Sequence, residues 1–121
     1  MKKSNYIAGQ WVEGISSIKN INPSDTSETI DEYTSCTDEQ FEQAIQSAAT
    51  AQREWETVGI EKKSQILIKI GDELIQKSKK IGELLSREEG KPLNEGIGEV
   101  ARAGQQFQYY GSECLRLYGE K

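Results

Sequence analysis

The spacing of apolar positions changes character near Thr37, and the change divides the chain into a strand-and-turn opening and a longer helical part. Tyr6-Ile7, Ala8-Gly9 and Gln10-Trp11-Val12 read as a tight hairpin, with glycine supplying a positive φ at the turn. Glu13-Gly14 predicts a second turn. Ile18 to Ile21, apolar at both ends, is compatible with a strand, and Asn22-Pro23-Ser24-Asp25 is a turn signal. A returning strand is expected over Thr29 to Thr34.

From Thr37 onward the period is helical. Thr37-Asp38-Glu39-Gln40 has the form of a capping box, in which the Thr hydroxyl accepts from the Gln40 amide and the Gln40 side chain reaches back. Phe41, Ala44, Ile45, Ala48, Ala49 and Gln52 then recur at helical spacing toward Trp55. A second helix is expected from about Glu61 to Lys77, burying Leu67, Ile70, Gly71, Leu74 and Ile75, with Ile66 and Ile68 widening the stripe. Ile81, Leu84 and Leu85 carry a shorter third helix that stops at Gly90, and Lys91-Pro92 forces a break. The fourth and longest helix runs from about Asn94 to Tyr118. Its stripe is Ile97, Val100, Ala101, Gly104, Phe107, Tyr110 or Gly111, Cys114, Leu115 and Tyr118. Gly96, Gly98, Gly104 and Gly111 lie within that helix at a cost of roughly 1 kcal/mol each relative to alanine, so something is expected to pack close to the backbone there. The pattern predicts one compact, mainly α unit: a small amino-terminal β region over 1–36, then four helices over 37–121.

Composition narrows the chemistry. Only 35% of the 121 residues are apolar, which predicts a thin core or one completed from outside the chain. Twenty acidic residues against fifteen basic ones give a net charge of -5, and the densest basic run, Lys77 to Lys80, reads as a solvated helix face. A nucleic-acid partner is therefore not expected. There is no histidine, and Cys36 and Cys114 lie far apart, so neither a zinc site nor a Cys–His nucleophile can be assembled. No segment approaches the ~18 apolar residues of a membrane span, and the basic start leads into no long apolar stretch. The expectation is a cytoplasmic protein with reduced thiols and no membrane partner.

Four local features invite chemical readings. Gly96-Ile97-Gly98-Glu99-Val100-Ala101 has the outline of a dinucleotide fingerprint, but no strand precedes it, and it is set aside. Glu88, Glu89, Glu95 and Glu99 gather around one turn and are read as exposed helix-end charges rather than acid–base groups. Cys114 falls on an apolar stripe and is read as buried rather than as a reactive thiolate, although Arg116 is near. Arg102, one residue beyond Val100-Ala101, lies at the flank of the core stripe, where the plain reading is a surface arginine paired with Glu99.

Taken in order, these segments resemble the opening of NAD(P)-dependent aldehyde dehydrogenases. Asn5-Tyr6-Ile7-Ala8-Gly9-Gln10-Trp11-Val12 is similar to the family's Asn-aromatic-Ile-x-Gly-x-Trp hairpin. Asn22-Pro23 is similar to its Asn-Pro turn, with Asp25-Thr26-Ser27 replacing the usual glycine-containing portion. Phe41, Ala44-Ile45, Ala48 and Trp55 resemble the first family helix. Arg87-Glu88-Glu89-Gly90-Lys91-Pro92 resembles the Glu-(Thr/Ser)-Gly-Lys-Pro segment, with Glu89 where Thr or Ser is common. Glu95, Glu99-Val100, Ala103 and Phe107-Gln108-Tyr109-Tyr110-Gly111 complete a pattern that covers essentially the whole chain.

The resemblance implies the helical layer of an α/β cofactor domain, with NAD or NADP as the cofactor of the full-length enzymes. It also implies oxidation of an aldehyde to a carboxylic acid: a cysteine thiolate adds to the carbonyl, a hydride passes to the nicotinamide, and a glutamate-activated water releases the thioester. On this reading the nucleophile, the glutamate, the oxyanion asparagine and the nucleotide-binding strands fall beyond Lys121. No catalytic, cofactor-binding or metal-binding residue is then assigned within 1–121, and the chain alone is expected to be inactive. The helix before the Tyr-Tyr pair lines the substrate entrance in the family, which implies that Gly98 and Arg102 lie near that mouth. Glu88-Glu89-Gly90-Lys91 and Gly98 to Gln105 resemble the branch that oxidises α-ketoglutarate semialdehyde, whose carboxylate an arginine would suit. The expected partners are the remainder of the dehydrogenase chain and a second copy, through the Ile97–Leu115 or Ile66–Ile75 stripe. The competing reading is a free-standing helical interaction or assembly module derived from the same family.

Overall fold

The computed structural model describes residues 2–116, with side chains from Ser4 onward. Contacts gather the chain into two units, Met1–Thr57 and Val58–Lys121, where the sequence pattern had pointed to one.

In the first unit the expected hairpin forms from β2 (Asn5–Ile7) and β3 (Gln10–Val12), paired antiparallel with Tyr6 opposite Trp11. Its two turn residues, Ala8 and Gly9, have φ of 50° and 80°, the left-handed pair of a type I′ turn. Glycine takes that conformation without strain, whereas Ala8 does so against its preference. The Tyr6 and Trp11 rings lie 4.8 Å apart at 54°, and both remain exposed. β4 (Ser16–Ile21) and β5 (Thr29–Ser35) confirm the other two strands, antiparallel from Ser16 opposite Ser35 to Ile21 opposite Thr29, with a register shift at Asn20/Ile21. A strand absent from the sequence reading, β1 (Lys2–Lys3), lies parallel to β5 and completes the order β1-β5-β4. The turn expected at Glu13-Gly14 does not form. The chain instead runs beside β5, where Ile15 N donates to Ser35 O at 3.0 Å and a side chain at Gly14 would collide with the Ser35 carbonyl.

Helix α1 (Asp38–Thr57) starts at the predicted capping box. Thr37 N donates to Gln40 Oε1 and Gln40 N donates to Thr37 Oγ1, each at 3.1 Å, which satisfies two otherwise orphaned amides. Gln40 Nε2 also donates to Glu13 O at 2.8 Å, tying the helix start to the segment after the hairpin. Ala44, Ser47, Ala48 and Ala51 of α1 face Tyr6, Ile7 and Ala8 of the hairpin, where Ile7 is buried. Phe41 and Ile45, expected on the packed stripe, are exposed.

The second unit holds α2 (Ile60–Gln76), α3 (Ser78–Glu89) and α4 (Leu93–Glu113). α2 and α3 are separated only by Lys77, and α3 ends at Gly90 in the left-handed region with φ of 70°. Pro92 then precedes α4, as the Lys91-Pro92 break predicts. α4 packs against both earlier helices, and its glycines are the crossing points. A Cβ on Gly96 would stand 2.5 Å from Gly82 O of α3, and one on Gly104 would stand 2.8 Å from Gly71 O of α2. Gly111 lies as close to Ser64 and Ile68. The expectation of close packing thus holds at three of the four glycines; a Cβ at Gly98 would meet no packing neighbour within 4 Å among the described residues. Gln108 Nε2 donates to Asp72 Oδ1 at 2.7 Å across the α2–α4 contact.

Two expectations are corrected here. The α2 stripe is not fully buried: Leu67, Leu74, Ile66 and Ile68 are half-buried, while Ile70 and Ile75 are exposed. Ile75 and Ile68 lie directly over Gly104 and Gly111, and because those glycines present no side chain to pack on, each isoleucine keeps part of its surface uncovered. The last helix also stops at Glu113, where Leu115 N and Arg116 N turn back to Ser112 O and Glu113 O in the tighter i→i−3 pattern. Tyr118 lies outside the described residues. Val100 and, in the first unit, Ile7 are the buried apolar side chains among the described residues.

Candidate functional site: the outer face of α4

Because α4 spends one face on packing, the opposite face is left to solvent. Gly96, Val100, Gly104 and Gly111 are buried, whereas Gly98, Arg102, Gln105 and Tyr109 are exposed and share one side at spacings of four, three and four residues. Gly98 and Arg102, the two residues the resemblance assigns to a substrate entrance, therefore stand one turn apart on the same face. Arg102, Gln105, Gln106, Tyr109 and Tyr110 line a shallow pocket of about 310 Å³. The Tyr109 and Tyr110 rings meet edge to face at 5.3 Å and form its far wall. The pocket offers guanidinium and amide N–H donors and two phenol hydroxyls, a set suited to an anionic or oxygen-rich ligand. Gly98 adds no side chain and leaves the approach from the helix start open.

Charge around this face is arranged by Lys91. Its ammonium sits 2.5 Å from Glu89 Oε2 and 2.6 Å from Glu99 Oε1, bridging the end of α3 to the second turn of α4. The Lys91 side chain is 17% exposed, against 54% for Glu99, so the bridge is sheltered on the lysine side. Hydrogen bonds donated to Glu89 and then to Glu99 hold its pKa above the ordinary lysine value. The backbone beneath is fixed too, with Lys91 N donating to Ser86 O at 3.1 Å and Ser86 Oγ donating to Lys91 O. Glu99 is thus not paired with Arg102, as the sequence reading had it; among the described residues Arg102 makes no ion pair.

The other candidates divide. Glu89 and Glu99 are the lysine's partners and Glu95 is exposed in the first turn of α4, but Glu88, expected to be exposed, is half-buried. Cys114 is half-buried at the C-terminal end of α4 and Cys36 is exposed. Arg116 turns to Glu113 Oε1 at 2.9 Å. The Gly96–Ala101 segment lies wholly inside α4, with Gly96 covered by α3. Amides committed to a helix and masked by a neighbouring one do not fit a pyrophosphate, so no chemistry is routed through a dinucleotide at this position.

Gln105, Gln106, Tyr109 and Tyr110 were not singled out as site residues from the sequence. Their positions three, four, seven and eight residues after Arg102 carried the signal, since these are the positions that surround one residue on a helix face. A second, apolar groove of about 450 Å³ lies on α2 and α3, lined by Ile66, Ile70, Leu74 and Ile81 between Lys69, Glu73 and Lys77. It offers burial but no convergent polar groups. No helix among the described residues is long and apolar enough to cross a membrane.

Known proteins share this fold. Residues 11–121 match the aldehyde dehydrogenase family. The chain is 33% identical over 119 residues to the alpha-ketoglutarate semialdehyde dehydrogenase of Haloferax volcanii, covering 97% of this chain and 25% of that protein. It is 32% identical over 122 residues to the mitochondrial succinate-semialdehyde dehydrogenase of Arabidopsis thaliana, covering 99% and 23%. The structure of the NADP-dependent glyceraldehyde-3-phosphate dehydrogenase of Bacillus halodurans C-125, complexed with NADP, matches with a TM-score of 0.93 at 30% identity, over 99% of this chain and 25% of that one. The chain therefore spans about a quarter of the length of these relatives. With the hairpin, the Gly-Lys-Pro break and the Tyr-Tyr helix falling in order within a match of that extent, the chain belongs to the aldehyde dehydrogenase family.

Proposed function

We propose that this chain is the amino-terminal part of an NAD(P)-dependent aldehyde dehydrogenase acting on a carboxylate-bearing aldehyde such as α-ketoglutarate semialdehyde. In this reading α4 forms one side of the substrate entrance, Arg102 receives the substrate's carboxylate, and Gly98 leaves room beside it. The observation that carries the reading is the Arg102 guanidinium, without an ion pair among the described residues, in a pocket it lines with Gln105, Gln106, Tyr109 and Tyr110. Support for the acid comes from relatives named for semialdehydes of dicarboxylic acids. A charge-assisted hydrogen bond contributes about 1.5–3 kcal/mol, and exposure of Arg102 argues for the lower end. In the enzyme that carries this segment, Arg102→Ala should raise KM for α-ketoglutarate semialdehyde about tenfold with kcat little changed, and leave KM for a neutral aldehyde alone. An unchanged KM for the acidic aldehyde ends the assignment.

The reaction itself belongs to residues outside 1–121. This chain by itself is accordingly proposed to bind neither NAD nor NADP and to turn over no aldehyde, and nicotinamide reduction by the purified 121-residue chain would overturn that. Its proposed partners are the remainder of the dehydrogenase and a second copy of itself. The exposed apolar side chains of α2 and α3 favour such association.

A further inference from the structure

We infer that Lys91 is a positioning residue for Arg102: it engages the Glu99 carboxylate and so leaves the guanidinium to an anionic ligand. This rests on the reading of Arg102 given above. Glu99 lies three residues before Arg102 on one helix, the spacing at which an acid and a base normally pair. Left alone, the two would neutralise each other and fill the pocket's mouth with a carboxylate. Instead Glu99 Oε1 is 2.6 Å from Lys91 Nζ. Lys91 competes well for three reasons. Its side chain is sheltered, which strengthens its attraction for a carboxylate relative to that of an exposed arginine. Its backbone is pinned to Ser86 across the Gly90–Pro92 break, so less freedom is lost when the ammonium is placed. Glu89, also bound to the ammonium, fixes it from the α3 side. The residue that completes the pocket is thus eight positions before the carboxylate it diverts, and it does not line the pocket.

The test follows the Arg102 Nε–H resonance by NMR in the isotope-labelled 121-residue chain, and titrates it with glutarate as a dicarboxylate probe. Lys91→Met should move that resonance before any ligand is added and weaken glutarate binding about twofold, the size set by an exposed pair one helical turn apart. Adding Glu99→Gln to that variant should return both to wild-type values. Lys91→Arg, which keeps the charge, should leave both unchanged. Glu99→Gln alone tests the idea without disturbing the lysine: the Arg102 resonance should stay where it is, because the two are not paired. A resonance unmoved by Lys91→Met, or moved by Glu99→Gln alone, overturns the inference. Failure of the underlying reading looks different. There, Arg102→Ala would leave glutarate affinity unchanged while the ligand-free resonances still decide the part played by Lys91.

Discussion

Two carboxylates on one ammonium give Lys91 an electrostatic signature that can be read by titration. Its pKa lies above the ordinary value, chiefly through Glu89 and then Glu99. A lysine whose folded pKa is raised stabilises the fold fully below the unfolded value, about 10.4, and that stabilisation is lost as pH rises through the folded value. Thermal stability of the chain should therefore hold through neutral pH and fall above about pH 10.4 by more than it does in Lys91→Met. Parallel alkaline declines in the two proteins would show that the bridge adds nothing. At this scale the sequence was half legible. That Gly98 and Arg102 share one exposed face of α4 was readable, because spacing within a helix is a local property. The partner of Glu99 was not found, because Lys91 lies across a helix break where i,i+3 arithmetic no longer applies.

Helices, rather than single residues, explain why α4 tolerates glycines that weaken it. A Cβ on Gly104 would meet Ile75 Cγ1 at 2.7 Å and Gly71 O at 2.8 Å, and the carbonyl cannot yield without moving α2. Overpacking of this kind costs about 1–3 kcal/mol, enough to outweigh the helix propensity gained. Gly98, where a Cβ would meet no packing neighbour within 4 Å among the described residues, gains that propensity without the clash. In urea unfolding, Gly104→Ala should lose about 1–3 kcal/mol and Gly98→Ala should gain up to about 1 kcal/mol. Two variants that shift stability in the same direction would refute the account of close helix crossings. The elements themselves were largely legible: the capping box of α1, the left-handed stop at Gly90 and the Pro92 restart are chain-local signals. β1 was not, since a two-residue strand exists only through its parallel neighbour β5. Nor was the exposure of Ile70 and Ile75, because a 3.6-residue period marks an apolar face without saying how much of it a glycine contact will cover.

At the scale of the whole molecule, the low apolar content and the glycine-mediated packing have a joint consequence. Contacts made through backbone stabilise by dispersion and leave little side-chain surface removed from water, so apolar residues remain outside. On α2 and α3, Ile70, Ile75 and Leu84 are all more than a third exposed. Beside them Ile66, Ile70, Leu74 and Ile81 line one continuous groove, with lysines and a glutamate at its rim. Glu73 and Lys77 on that rim pair at 2.8 Å, so the groove is bordered by both signs of charge and does not repel its own copy. A face of this kind lowers its free energy by meeting another apolar face, and in a solution of the pure chain the available one is a second copy. Sedimentation of the 121-residue chain should accordingly show a coefficient that rises from micromolar to millimolar concentration, and Ile70→Lys should suppress the rise. A rise that survives Ile70→Lys would move the contact to the Ile97–Leu115 side of α4. A chain that sediments as a strict monomer throughout would mean that the exposed apolar residues are too scattered to act as one surface.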